Sequence, residues 1–176
     1  KKDFMSVSGI APQNVGQTFA LHALLKNCDD LPLVILKGVA GSGKTLLSLA
    51  AGLRQMSKGM YDKIIITRSN QLADEEMGFL PGTLEEKMSP LLAPFYDNLK
   101  FLLKMTGEDD EQISYLLDDM MTRGSIEIVS LAYIRGRSIP NAYIIIDECQ
   151  NLSVTQAKTL VTRIGIGSKL VMLGCP

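Results

Sequence analysis

Eight residues, Gly38-Val39-Ala40-Gly41-Ser42-Gly43-Lys44-Thr45, follow the spacing G-x-x-x-x-G-K-[ST]. That spacing suits the grip on a phosphate chain. Glycines at positions 38, 41 and 43 let successive backbone N–H groups turn inward toward phosphate oxygens. A helix opening at Lys44 points its positive dipole end at the same place. Lys44 is placed to reach the β- and γ-phosphates, and the Thr45 hydroxyl to bind Mg2+. The phosphate site is expected to run from Gly38 through Val39, Ala40, Gly41, Ser42, Gly43, Lys44 and Thr45 to Leu46. A second set lies far along the chain. Tyr143-Ile144-Ile145-Ile146-Asp147-Glu148 is an apolar run ending in two carboxylates, the pattern that follows a P-loop in nucleoside-triphosphate sites. Asp147 is then the Mg2+ ligand, and Glu148 the group that orients or deprotonates an attacking water. The competing readings are a Gly-rich turn that binds nothing and a strand end capped by solvated acids. The two motifs together argue against both. Gln150 puts a neutral amide near the same end, with a plain surface residue as the competing reading.

Elements must hold these residues in place. Leu33 to Leu36 reads as a buried strand before the loop, and Leu46 to Met56 as the helix after it. Asn14 to Asn27 has helical spacing, with Asn14 as N-cap and Gln17 three residues on. Lys63 to Thr67, Ile126 to Val129, Tyr143 to Asp147 and Lys169 to Leu173 read as further buried strands. Arg68 to Pro81 reads as a loop containing Asp74-Glu75-Glu76. Thr83-Leu84-Glu85-Glu86 is a capping box opening a long helical stretch, which Pro90 and Pro94 are expected to break or kink. Glu108-Asp109-Asp110-Glu111 reads as a solvated start to a helix over Glu111 to Met121. Ser153-Val154-Thr155-Gln156 opens another, to about Ile164. Strands alternating with helices predict an α/β fold with a mostly parallel sheet and ligands at the carboxyl ends of its strands.

The totals exclude other classes. The sequence has 176 residues, formal net charge −1 and 46% hydrophobic residues, with no global basic signal for nucleic acid. Cys28, Cys149 and Cys175 have no metal-ligand spacing and are expected as reduced, buried thiols in a cytoplasmic protein. No apolar run approaches the roughly 18 residues of a membrane span. The chain is expected to be one domain over residues 1–176, a piece of a longer protein.

Further pieces carry a resemblance. Thr67-Arg68, Gly78-Phe79-Leu80-Pro81-Gly82 with Glu85-Glu86-Lys87, Pro94 with Tyr96-Asp97-Asn98-Leu99, Tyr133-Ile134-Arg135-Gly136-Arg137 and Asp147-Glu148-Cys149-Gln150-Asn151 follow the P-loop in order. With them the chain resembles the PhoH-like, phosphate-starvation-inducible ATPases over nearly its whole length. The resemblance implies a three-layer P-loop NTPase of the RecA-like kind, related to superfamily 1 helicases. It implies ATP and Mg2+ as cofactors, RNA or another nucleic acid as partner, and a ring of identical subunits. Gln17 matches the helicase Q motif, which contacts adenine, or else it partners the Asn14 cap. Gln150 matches the motif II glutamine that couples the γ-phosphate to the motor. Arg163 matches a γ-phosphate sensor, or else complements its helix C-terminus. The chain departs from the family pattern at Cys149 for Ala, at Ser69 for Pro, and at Gly174-Cys175-Pro176 for Gly-Asp-Pro of motif III.

An ATP-hydrolysing protein acting on nucleic acid is therefore expected. Two rivals stand beside it: a P-loop small-molecule kinase, which gains nothing from Glu148, and an ATP-gated binding module without turnover. Tyr133, Arg135 and Arg137 are the expected strand contacts. An aromatic ring and two arginines can stack a base and grip phosphates, and the connection they lie on begins at the carboxyl edge. The competing reading packs Tyr133 inward and pairs the arginines with acids such as Asp118 or Asp119.

Overall fold

The computed structural model describes residues 9–69, 84–105, 107 and 109–176, with residues 84–92 described by their backbone alone. In chain order the elements are α1 (Val15–Leu25), β1 (Leu33–Lys37), α2 (Lys44–Ser57), β2 (Lys63–Arg68), α3 (Leu84–Lys104), α4 (Asp110–Thr122), β3 (Ile126–Ile128), α5 (Leu131–Arg135), β4 (Ala142–Asp147), a 3-10 turn (Cys149–Asn151), α6 (Val154–Thr162) and β5 (Lys169–Gly174). The Asp74-Glu75-Glu76 and Gly78-Phe79-Leu80-Pro81-Gly82 stretches lie outside the described residues. So do Thr83 of its capping box, Glu108, and the side chains of Glu85, Glu86, Lys87 and Pro90.

The described strands form one parallel sheet in the order β1-β5-β4-β2-β3. The strands read as unbroken apolar runs because both faces are covered, and the pleat divides their residues between two cores. Val34, Ile64, Ile66, Tyr143, Ile145, Val171 and Leu173 face the side packed by α1, α2, α3 and α4. Ile65, Ile144, Ile146, Leu170 and Met172 face the other side, under Leu131 and Ile134 of α5 and Leu160 of α6. Since all strands run one way, Lys37, Gly174, Asp147 and Arg68 end at the same edge. The register pairs Lys37 with Gly174 and Arg68 with Asp147.

One local expectation, that the prolines break the helix, is corrected, and one element was not foreseen. A single helix, α3, runs through both Pro90 and Pro94. Phe95, Leu99, Leu102 and Leu103 bury its inner face, and that burial outweighs the roughly 3 kcal/mol cost of an interior proline. The connection after β3 holds a short helix, α5, which the sequence pattern did not reveal. Of the capping signals, Ser153 and Gln156 make the full reciprocal box. Asp109 and Gln112 make another, so the acidic turn is a helix start, with α4 beginning at Asp110. The three cysteines are free and each is half-buried rather than fully buried.

Candidate phosphate and metal site

The loop after β1 turns because Gly41 and Gly43 adopt φ of 75° and 83°, a region that favours glycine. Gly43 is the N-cap of α2, so the first-turn amides at Lys44, Thr45 and Leu46 leave the helix end toward the loop. Leu46 also packs on the core, which anchors that turn. Val39 and Ala40 form the exposed crest. The Lys44 ammonium is held across the loop, donating to Gly38 O at 2.7 Å and Val39 O at 2.9 Å, with Ser42 Oγ at 3.4 Å. Cys175 Sγ, just past β5, lies 3.9 Å from the same nitrogen. A cavity of about 310 Å3 opens beside the loop, lined by Gln17, Ala20, Ile35, Lys37, Ser42 and Lys44 among others.

The acidic pair stands at the end of β4, with only β5 between it and the loop strand. Asp147 is buried, and burial pushes its pKa up; Arg68 and, more weakly, Lys44 pull it back down. Lys44 is therefore within electrostatic reach of Asp147. Glu148 has φ of 56°, rare for a residue with a Cβ and costing about 1–3 kcal/mol of strain. Its N–H donates to Asp147 Oδ1 at 3.0 Å. Gln150 Nε2 donates to Glu148 Oε2, and Gln150 Oε1 accepts from Cys175 N at 3.0 Å. One carboxamide thus joins Glu148 to the end of β5. Asn151 Nδ2 donates to Ser69 O at 3.0 Å and ties the same turn to the end of β2.

Among the described residues no cluster of three His, Cys, Asp or Glu side chains could hold a metal. The expected donors, Asp147 at the end of β4 and Thr45 in the first turn of α2, are of a kind that suits Mg2+. That ion commonly takes one or two carboxylates and completes its shell with nucleotide phosphates and water.

Gln17 meets the loop in a way that spacing did not reveal. Asn14 caps α1 by accepting from Gln17 N at 2.9 Å, as expected. The Gln17 side chain, however, accepts from Gln13 N at 2.7 Å and donates to Ser42 O at 3.2 Å. It braces the phosphate loop against α1.

Two sets of expected residues are not brought to this site. Arg163 is the C-cap of α6, beside Ile164, which bridges Ile139 ahead of β4. Helix α6 starts at the carboxyl edge and must return to the amino edge before β5 begins. Its last residues therefore sit across the sheet from the phosphate loop of their own chain. Tyr133 and Arg137 form an internal stack. The Arg137 guanidinium lies 4.1 Å from the Tyr133 ring centroid and donates to its hydroxyl at 2.8 Å. That hydroxyl donates to Glu127 Oε2 at 3.0 Å, and Glu127 pairs with Lys63 at 2.8 Å. Since Lys63 begins β2, the stack leans along β3 away from the carboxyl edge. Asp119 pairs with Arg123 at 2.8 Å.

One residue at the site was not predicted. Arg68, the last residue of β2, lies 3.4 Å from Asp147 Oδ2 and 3.6 Å from Glu148 Oε1. Thr67-Arg68 was a piece of the family likeness with no role attached, and the role of Arg68 depends on β2 lying beside β4.

Comparison with known proteins bears on this arrangement. A family model described as PhoH-like protein matches residues 9–176. Protein PhoH2 of Bacillus subtilis is 49% identical over 171 residues, covering 96% of this chain and 37% of that protein. Protein PhoH of Escherichia coli is 36% identical over 173 residues, covering 98% of this chain and 46% of that protein. The chain therefore spans less than half the length of either relative. Among solved structures, the Sulfolobus solfataricus SWI2/SNF2 ATPase core in complex with dsDNA aligns with TM-score 0.51 and 18% identity. It covers 94% of this chain and 32% of that one. At that identity the likeness is one of fold.

Proposed function

This chain belongs to the PhoH-like family, and from that premise we propose that it binds ATP with Mg2+ and hydrolyses it. In the full-length protein the turnover acts on nucleic acid, RNA foremost. The observation that carries the reading is the meeting, at one sheet edge, of the Lys44 loop with Asp147 and Glu148.

The roles follow from position. The loop amides and Lys44 bind the phosphate chain by charge-assisted hydrogen bonds. Thr45 and Asp147 hold Mg2+, which supplies positive charge to the phosphate oxygens when bound. Glu148 orients the water and takes its proton, a role for which a kinase has no use. Gln150 holds Glu148 in place and ties that position to Cys175, just past β5. The relatives' greater length leaves room for further parts, and a ring of identical subunits would bring a neighbour's surface to the site. The free thiols suit the reducing cytoplasm.

Tyr133, Arg135 and Arg137 stay the proposed strand contacts, now with a stated cost. Arg137 must leave the Tyr133 ring before a base can stack there, which forfeits about 0.5–1 kcal/mol at an exposed site. The test is phosphate release by the full-length protein without any added acceptor, with and without RNA. Release that RNA stimulates supports the reading. ATP bound but never cleaved would favour the binding module, and release only with a small-molecule acceptor would favour the kinase.

A further inference from the structure

Arg68 is placed where the site's own chemistry needs space. Its guanidinium reaches Asp147 Oδ2 at 3.4 Å and Glu148 Oε1 at 3.6 Å, so a single cation bridges the proposed metal ligand and the proposed base. Its place is set from two sides. The register of β2 against β4 puts Arg68 directly beside Asp147. The Phe95 ring of α3, fully buried, lies 5.7 Å under the guanidinium. Gln150 holds the other oxygen of Glu148 and Asn151 fixes the turn to Ser69, the residue after Arg68. The pair is partly shielded from water, with about a quarter of the Arg68 side chain exposed.

We propose that Arg68 is a positioning residue that holds Asp147 and Glu148 in a guarded arrangement, so that Mg2+ and the attacking water must displace a guanidinium before hydrolysis proceeds. The inference rests on the reading of the site as a Mg2+-ATP site. A guanidinium and Mg2+ compete for the same carboxylate oxygen, and a neighbouring positive charge lowers the affinity for any cation. Both contacts come from one guanidinium nitrogen, Nη2, and arginine suits the task because its planar group also seats on the Phe95 ring, which a lysine ammonium does less well.

The experiment titrates Mg2+ against binding of a fluorescent ATP analogue to the full-length protein and to Arg68→Met, Arg68→Lys and Phe95→Leu. Phosphate release is followed in parallel, and urea midpoints check folding. Arg68→Met is expected to lower the Mg2+ concentration for half-maximal binding about tenfold, and to raise basal phosphate release at saturating Mg2+. Arg68→Lys shifts the Mg2+ requirement the same way but less. Phe95→Leu, which loosens the support of Arg68 without touching either carboxylate, gives a small shift in the same direction. An unchanged or higher Mg2+ requirement in both Arg68 variants overturns the proposal. So does a loss of turnover at saturating Mg2+, because Arg68 would then be a contact to the phosphates. A parent protein that binds Mg2+ and nucleotide without cleaving it fails the hydrolysis reading, while the Mg2+ shift still decides the role of Arg68.

Discussion

Gln17 uses both ends of its carboxamide inside the protein, accepting from Gln13 N and donating to Ser42 O. Under the proposed function, a side chain so engaged would act on the nucleotide through the phosphate loop. Gln17→Ala is therefore expected to weaken ATP and inorganic triphosphate by the same factor, about three- to tenfold for one lost hydrogen bond. Competition binding with both ligands measures this, and a loss confined to ATP would restore adenine contact as the role. The difference between residues that sequence revealed and those it did not is physical. Phosphate binding dictates residue types at fixed backbone spacing, so Gly38 to Thr45 and Asp147-Glu148 are readable as strings. Arg68 is not, because its partners come from a neighbouring strand 79 residues away in sequence. Arg163 sits at the C-cap of α6, and which site it serves depends on how copies of the chain assemble, which spacing does not encode.

The elements were legible wherever one period dominated. The buried strands read as apolar runs, and the Ser153–Gln156 capping box marked the start of α6. The long helical stretch was readable, but that it runs unbroken through Pro90 and Pro94 depends on the burial of Phe95, Leu99, Leu102 and Leu103. Helix α5 has five residues, too few for a period to show. Where a cap carries a helix, its loss is measurable. Ser153→Ala removes the oxygen that accepts from Gln156 N, and is expected to cost about 1 kcal/mol of unfolding free energy in urea titration.

A second test at this scale concerns the join between α1 and β5. Lys169, fully buried at the start of β5, donates to Ala23 O and Lys26 O at the C-terminal end of α1. There a cation suits the helix dipole. Burial pushes its pKa down from 10.5 to about 8. Below about pH 8 both folded and unfolded chains carry the charge, and the burial penalty is fully present. Between about 8 and 10.5 the unfolded chain holds the proton and the folded chain releases it, so this group's contribution to stability rises with pH. Urea midpoints at about pH 7.5 and about pH 9.5 should rise more for the parent than for Lys169→Met. Equal changes in the two proteins would show that Lys169 does not titrate in that window.

At the scale of the whole molecule, the parallel sheet is the device that makes the site. Residues 38 to 46, 68, 147 to 150 and 175 come from distant parts of the chain and meet because β1, β2, β4 and β5 all end at one edge. Alternating strands and helices made the parallel sheet readable from sequence. The strand order, with β5 between β1 and β4, was not readable, because side-chain alternation does not say which strands are neighbours. That order sets Cys175 beside Lys44 and links it to Glu148 through Gln150. The central claim is that this edge binds ATP with the loop and cleaves it with Glu148. The most direct test measures nucleotide affinity and phosphate release together for the full-length parent, Lys44→Ala and Glu148→Gln. Lys44→Ala is expected to lose both, while Glu148→Gln binds ATP as the parent does and releases phosphate about 100-fold more slowly or worse. Phosphate release by Glu148→Gln at the parent rate would contradict it.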